Sequence, residues 1–346
     1  MGRPTDGTPM SLRVLGAIVD AYKSVFVKGG AAPLLSQPKP VRRTGFELDV
    51  RIERIERQTD DVVSLTLRVA AGGPLPTWRP GSHVDVFLPS GRQRQYSLCG
   101  DPSDRFRYRI AVRLIQDGGG GSREVHETLR TDDRLRIRGP RNAFTFVDAP
   151  SYLFLAGGIG ITPILPMVRA AGTRGQLVYL GRSRDTMPFL HELPDADIRP
   201  DDEFGVSDIA ELIARAEPGA AVYVCGPPPM LAAAQRCMFE LNPTGSLHTE
   251  RFSALPVTDG RAFDIALART GGTVRVGADE TALTALRRRL PDTAYSCQQG
   301  FCGTCKVGVA AGSVDHRDRL LAESERADHM LVCVSRAVSD ELVLDL

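Results

Sequence analysis

Residues 295 to 306 read YSCQQGFCGTCK and place Cys297, Cys302 and Cys305 within nine positions, with Cys333 following 28 residues after Cys305. Structural zinc sites prefer two close cysteine knuckles, whereas here the fourth thiol has no near partner. The spacing C-x4-C-x2-C with a distant fourth Cys is the plant-type [2Fe–2S] pattern, four thiolates around two irons. A loop wrapped on such a cluster must turn backbone N–H groups toward sulfur, and Gly300, Gly303 and Thr304 leave room for that. The cluster passes electrons one at a time and does no chemistry on a substrate itself. Something upstream has to supply those electrons.

Four upstream stretches are candidates. RQYSLCG, from Arg94 to Gly100, is weak alone, because an Arg and a Tyr on a strand usually only pack. Residues 118–122 read GGGGS and run into SREVHETLR, an expected helix. Unpaired N–H groups at such a turn suit a phosphate, although a flexible hairpin tip would read the same. SYLFLAGGIGITPILPMVRAA (151–171) places a buried strand before Gly157, Gly158 and Gly160, with Thr162 as the expected helix cap and Pro163 at the first helical position. This is not the G-x-G-x-x-G fingerprint, but its strand–turn–helix context suits a dinucleotide. The strand AVYVC runs into CGPPPM, which sets Cys225, Gly226 and Pro227 at the carboxyl end of a parallel strand, where open α/β sheets bind ligands.

Taken in order, R-x-Y-S, G-G-S, G-G-x-G-x-T-P, C-G-P-x-x-M and the cysteine loop resemble the phthalate dioxygenase reductase family. This is the FMN–nicotinamide–ferredoxin branch of the ferredoxin-NADP reductase superfamily, and the likeness spans about residues 45 to 346, down to the terminal ELVLDL. The resemblance implies that Arg94, Gln95, Tyr96 and Ser97 hold the flavin, with Ser97 near its N5 atom. It implies that Gly120, Gly121 and Ser122 grip the flavin phosphate and that Val112 and Arg113 lie along the ring. Gly158, Gly160 and Thr162 would belong to the nicotinamide site, Thr162 beside both cofactors, and Cys225 with Gly226 and Pro227 near the hydride-donating carbon. HTERF (248–252) would return to the flavin through Glu250 and Phe252. Ser97, Cys225 and Glu250 are thus the residues expected around hydride transfer, and Cys297, Cys302, Cys305 and Cys333 the metal ligands.

The same resemblance favours FMN over FAD. After QLVYL, the stretch GRSRDT offers Arg182, Ser183 and Arg184 to a 2′-phosphate, which favours NADPH over NADH, while Asp185 pulls the other way. The expected activity is an NAD(P)H-dependent reductase passing electrons through FMN and the cluster to a protein acceptor, a Rieske oxygenase or a cytochrome P450. A redox sensor and a flavin reductase without a dedicated acceptor are the alternatives. The lack of any DNA-binding motif disfavours the first, the attached ferredoxin unit the second.

The elements that must hold these groups follow from periodicity. Residues 1–44 read as an extension in which Leu12, Leu15, Val19, Tyr22 and Phe26 share one helical face, followed by the linker GGAAPLLSQPKPVRR. Over 45–148, FELDVRIERIERQ and VVSLTLRVA alternate with period two, as in a small antiparallel flavin-binding barrel. Over 149–252, the apolar strands YLFLA, QLVYL and AVYVC alternate with helical stretches, as in a parallel-sheet α/β nicotinamide domain. Residues 253–346 hold AFDIALA, TVRVG, the helical TALTALRRRL and the cysteine loop, the expected β-grasp ferredoxin domain.

Composition bounds the rest. Ala149 to Val168 is 20 residues without a charge, a bilayer's length, but its glycines and prolines fit a strand, a turn and a helix better. Net charge is +1, from 43 Lys plus Arg against 42 Asp plus Glu, so neither nucleic acid nor an anionic membrane is expected as partner. Seven cysteines in 346 residues speak for reduced thiols in the cytoplasm rather than a disulfide framework. We expect a monomer that meets its acceptor briefly. The six histidines read as structural or surface residues, His83 bordering a strand.

Overall fold

The computed structural model describes residues 47–116 and 119–346. The helix expected between Leu12 and Phe26, with the rest of the extension, lies outside the described residues. Three sheets follow one another along the chain. The first is antiparallel, built from β1 (Glu47–Arg57), β2 (Val62–Val69), β3 (Ser82–Phe87), β4 (Gln93–Ser97), β5 (Tyr108–Arg113) and β6 (Arg134–Asn142), in the order β4-β3-β6-β1-β2-β5. Its period-two alternation turns Val50, Leu67, Val84, Ile110 and Ile137 into one core. The two edges curl together, and the Cys99 amide beyond β4 donates to the Arg109 carbonyl on β5 at 2.8 Å. The short helix α1 (Gly121–Glu127) packs Val125 into the same core.

The second sheet is parallel: β7 (Tyr152–Gly157), β8 (Gly175–Gly181), β9 (Asp197–Pro200), β10 (Ala221–Cys225) and β11 (Ser246–Glu250), in the order β11-β10-β7-β8-β9. Both faces are covered at its centre, which is why β7, β8 and β10 are largely apolar, while the edge strands β9 and β11 are polar. Phe154, Tyr179 and Tyr223 pack with Ile164 of α2 (Ile161–Ala171) on one side. Leu153, Leu155 and Val222 pack with α3 (Ile209–Ile213) and α4 (Pro228–Leu241) on the other. The uncharged stretch 149–168 is therefore β7, a glycine turn and α2, and among the described residues no helix is long and apolar enough to cross a membrane.

The third sheet is mixed: β12 (Phe263–Leu267), β13 (Thr273–Val276), β14 (Lys306–Ala311), β16 (His329–Leu331) and β18 (Glu341–Leu344), in the order β13-β12-β18-β14-β16. A separate two-stranded ladder pairs β15 (Val314–Asp315) with β17 (Arg336–Ala337). Helix α5 (Ala282–Arg289) lays Leu283 and Leu286 on the mixed sheet, its start capped by Thr281, whose hydroxyl accepts from the Thr284 amide at 3.1 Å. The chain is thus an antiparallel half-barrel, a parallel α/β layer and a β-grasp unit, the architecture expected from sequence.

Two local expectations need correction. Thr162 does not cap a helix: a 3-10 turn over Gly158–Gly160 leads straight into α2 at Ile161, so Thr162 lies one position inside it and donates its hydroxyl to the Ile159 carbonyl at 3.0 Å. Gly158, at φ +54°, makes the turn that a cap would otherwise start. His83 does not border a strand but sits within β3, buried.

Candidate functional site

The cluster loop joins α5 to β14. Cys297, Cys305 and Cys333 are buried and Cys302 is partly exposed. Their contacts come in two pairs: Cys297 with Cys302, and Cys305 with Cys333. Among the described residues no three His, Cys, Asp or Glu side chains are placed to hold a single ion. Four thiols gathered as two pairs fit the two-iron cluster that their spacing implies. Within the first pair the Cys297 side chain, with the Thr304 hydroxyl, holds the Cys302 thiol below its ordinary range against the opposing effect of burial. Gly300 and Gly303 both stand at φ +76°, and a Cβ on Gly300 would come within 2.8 Å of Val334. The Gln299 amide points at Cys297 Sγ, 3.4 Å away. These features, expected of a cluster cradle, are present in the chain itself.

The half-barrel supplies a second cradle. Arg94 on β4 donates to the Gly119 carbonyl at 2.9 Å, and Arg92 donates to the same oxygen at 3.0 Å. Gly120 takes φ +77° before α1, and a Cβ on Gly121 would lie 2.6 Å from Arg94 Nε. Two guanidiniums and a bare glycine backbone thus face one concavity, a fit for a phosphate. Gln95 Nε2 is buried without a partner among the described residues, a donor awaiting an acceptor on the same strand. Ser122 is engaged locally, its hydroxyl accepting from the Ile115 amide at 3.0 Å. Tyr96 is half-buried and Ser97 buried at the end of β4. Val112 lies in the barrel core, and Arg113 is tied to Asp61 at 2.8 Å, so neither side chain joins this concavity.

The third cradle sits where the parallel sheet reverses its strand order, between β7 and β10. There the two glycine turns abut: a Cβ on Gly160 would lie 2.2 Å from the Cys225 carbonyl, and one on Gly157 would lie 2.7 Å from Pro227 Cδ. Open α/β sheets bind ligands at this switch point. Register pairs Cys225 on β10 with Glu250 on β11. Burial pushes the Glu250 carboxyl up to about 8 and the Cys225 thiol well above its ordinary value. Glu250 Oε2 has no partner among the described residues, and Phe252 just beyond is 48% exposed. Beyond β8, Arg184 is held by Glu203 at 2.7 Å, Ser183 closes a turn on Thr186, and Arg182 is exposed with no side-chain partner among the described residues.

Sequence reasoning missed the residues that join these cradles. On β3, Asp85 is fully buried and accepts from Arg138 at 3.2 Å, from Arg141, and from Ser296 at 2.6 Å. The His83 ring meets Phe301 edge-on at 6.2 Å. The signal available was HVDVF, whose alternation does not tell what covers its polar side.

Comparison with known proteins gives the same picture. A 2Fe-2S iron-sulfur cluster binding domain matches residues 265–338. Phthalate dioxygenase reductase of Burkholderia cepacia is 36% identical over 317 residues, covering 87% of this chain and 98% of that protein. A solved phthalate dioxygenase reductase, described as a modular structure for electron transfer from pyridine nucleotides to [2Fe–2S], superposes with a TM-score of 0.66 at 35% identity, over 87% of this chain and 98% of that one. An intact type IV self-sufficient cytochrome P450 monooxygenase matches at 41% identity and TM-score 0.64, over 87% of this chain and 41% of that longer one. Fold, thiol pairing and these likenesses define an NAD(P)H-dependent iron–sulfur flavoprotein reductase, with FMN, a nicotinamide nucleotide and a [2Fe–2S] cluster as its cofactors. The chain belongs to the phthalate dioxygenase reductase family.

Proposed function

We propose that this reductase serves an oxygenase acceptor, a Rieske oxygenase or a cytochrome P450, through three cradles held by named residues. The observation that carries the reading is the gathering of Cys297, Cys302, Cys305 and Cys333 at a loop whose Ser296 rests on β3 and whose Tyr295 rests on Arg94 of the flavin strand. With its cofactors bound, the protein would take a hydride from the nicotinamide onto the flavin and release its electrons singly through the cluster. Arg94, with Arg92, neutralises the flavin phosphate above Gly120 and Gly121. Gln95 supplies a buried donor to the flavin, and Tyr96 and Ser97 line it.

Gly158, Gly160 and Gly226 let the nicotinamide approach the backbone, while Thr162 and Pro227 flank it. Cys225 and Glu250 close the hydride-transfer site. At neutral pH Glu250 keeps its proton, so it presents a donor rather than a charge. Among the described residues Arg182 is the cation of this stretch left for a 2′-phosphate, because Glu203 already neutralises Arg184. Arg182→Ala should raise KM for NADPH well above any change for NADH; equal changes would remove this assignment.

Cys302→Ser, prepared anaerobically, tests the whole route. NAD(P)H-driven reduction of cytochrome c should collapse, while reduction of ferricyanide, an acceptor that can be served by the flavin alone, should persist. Undiminished cytochrome c reduction would overturn the reading.

A further inference from the structure

A strand of an antiparallel sheet normally shows one face to the core and the other to water. β3 does not. Val84 and Val86 face the core, yet His83 and Asp85 on the opposite face are 2% and 0% exposed. What covers that face is the cluster loop. The Ser296 hydroxyl donates to Asp85 Oδ1 at 2.6 Å, Phe301 covers the His83 ring, and Arg138 reaches the Thr304 hydroxyl at 3.5 Å. One position before Ser296, the Tyr295 ring lies between the guanidiniums of Arg94, at 5.2 Å, and Arg287, at 4.4 Å. Ser296 and Thr304 immediately precede Cys297 and Cys305.

The charges beneath this seam are arranged by a defect in the sheet. Arg138 and Arg141 are three residues apart on β6, so in a regular strand they would point to opposite faces. The β3–β6 register shifts between His83 and Asp85, and this irregularity brings both guanidiniums to the one carboxylate. A buried carboxylate is costly unless fully paired, and as a source of stability such a group is often no better than apolar packing. Its contribution is better sought in fixing one arrangement of the loop.

We propose that Asp85 is a positioning residue: held by Arg138 and Arg141, it fixes Ser296 and hence the first thiol of the cluster loop against β3, the neighbour of the flavin strand β4. The inference rests on the electron route proposed above and adds to it a carboxylate lying outside all three cradles. Because the side chain ties β3 to the loop, its loss frees the loop from β3 while Tyr295 still rests on Arg94 and the nicotinamide turns are untouched.

Two variants of the loaded protein test this, Ser296→Ala and Asp85→Asn, with Cys302→Ser as control. Ser296→Ala removes one hydrogen bond and leaves the ion cluster intact, so it keeps the test decisive should Asp85→Asn fold poorly. Amide hydrogen exchange over residues 295–305 should accelerate on the order of tenfold in either variant, the effect of losing one charge-assisted bond. The ratio of cytochrome c to ferricyanide reduction should fall, with ferricyanide reduction unchanged. In Asp85→Asn the cluster's midpoint potential should also rise, because two guanidiniums lose their counter-charge, a change that looser packing alone would not produce. Unchanged loop exchange with an unchanged ratio would overturn the role of Asp85. Full cytochrome c reduction by Cys302→Ser would instead overturn the electron route, and with it that half of the inference.

Discussion

Glu250 shows at the scale of one residue how burial sets chemistry. Its carboxyl is buried at the end of β11, and burial pushes it up to about 8. A folded pKa above the ordinary carboxyl value means that its contribution to stability is present at low pH and is lost as pH rises from that ordinary value through about 8. If the protonated form donates at the nicotinamide site, flavin reduction should decline above about pH 8, and stopped-flow rates for Glu250→Gln should lose that limb. A wild-type profile flat from neutral pH to well beyond 8 would contradict the assignment. Reading such residues from sequence had uneven success. Cysteine spacing announces itself, because four thiols constrain one another over a short loop. His83 and Asp85 did not, since an alternating His-Val-Asp-Val looks the same whether water or another domain's loop covers its polar side.

The glycine turns belong to the scale of elements. The contact between the Gly160 and Cys225 turns follows from two parallel strands ending side by side, each releasing its chain into a helix. Gly160→Ala would drive a Cβ to 2.2 Å from a backbone carbonyl that no rotamer can move. We predict a loss of about 1–3 kcal/mol in unfolding free energy and a raised KM for the nicotinamide. A variant with wild-type melting and KM would show that the turns separate freely. The elements themselves were legible: apolar runs of five residues gave the buried parallel strands, and period two gave the half-barrel. The start of α2 was misread, because a Thr-Pro pair resembles a cap while the helix enters through the preceding 3-10 turn. Which face of β5 turns inward, Val112 to the core and Arg113 to Asp61, is set by the ladder.

At the scale of the molecule, polar seams join the three sheets, and two of those among the described residues centre on a carboxylate. One is Asp85 with the cluster loop. The other is Glu192, which accepts both Arg109 guanidinium nitrogens at 2.6 and 3.0 Å and also meets Arg169, tying the half-barrel to the α/β layer. Burial alone would raise the Glu192 carboxyl, but Arg109 and Arg169 hold it below its ordinary range. Its stabilisation is therefore present above that range and lost as pH falls through the lowered value. Glu192→Gln should cost about 2 kcal/mol near neutral pH, with a difference from wild type that shrinks in acid. Equal melting of the two proteins at neutral pH would remove this seam from the account. Sequence could not reveal either seam, since partners 83 or 211 positions apart leave no local pattern.

The central claim is that the four paired thiols hold a two-iron cluster fed by a flavin in the same chain. Low-temperature EPR of anaerobically prepared protein, reduced with NADH or NADPH, tests it most directly. The account predicts a reduced-cluster signal of about one unpaired electron per chain, absent from Cys302→Ser. A silent spectrum from protein that carries zinc, or a signal that Cys302→Ser retains, would contradict it.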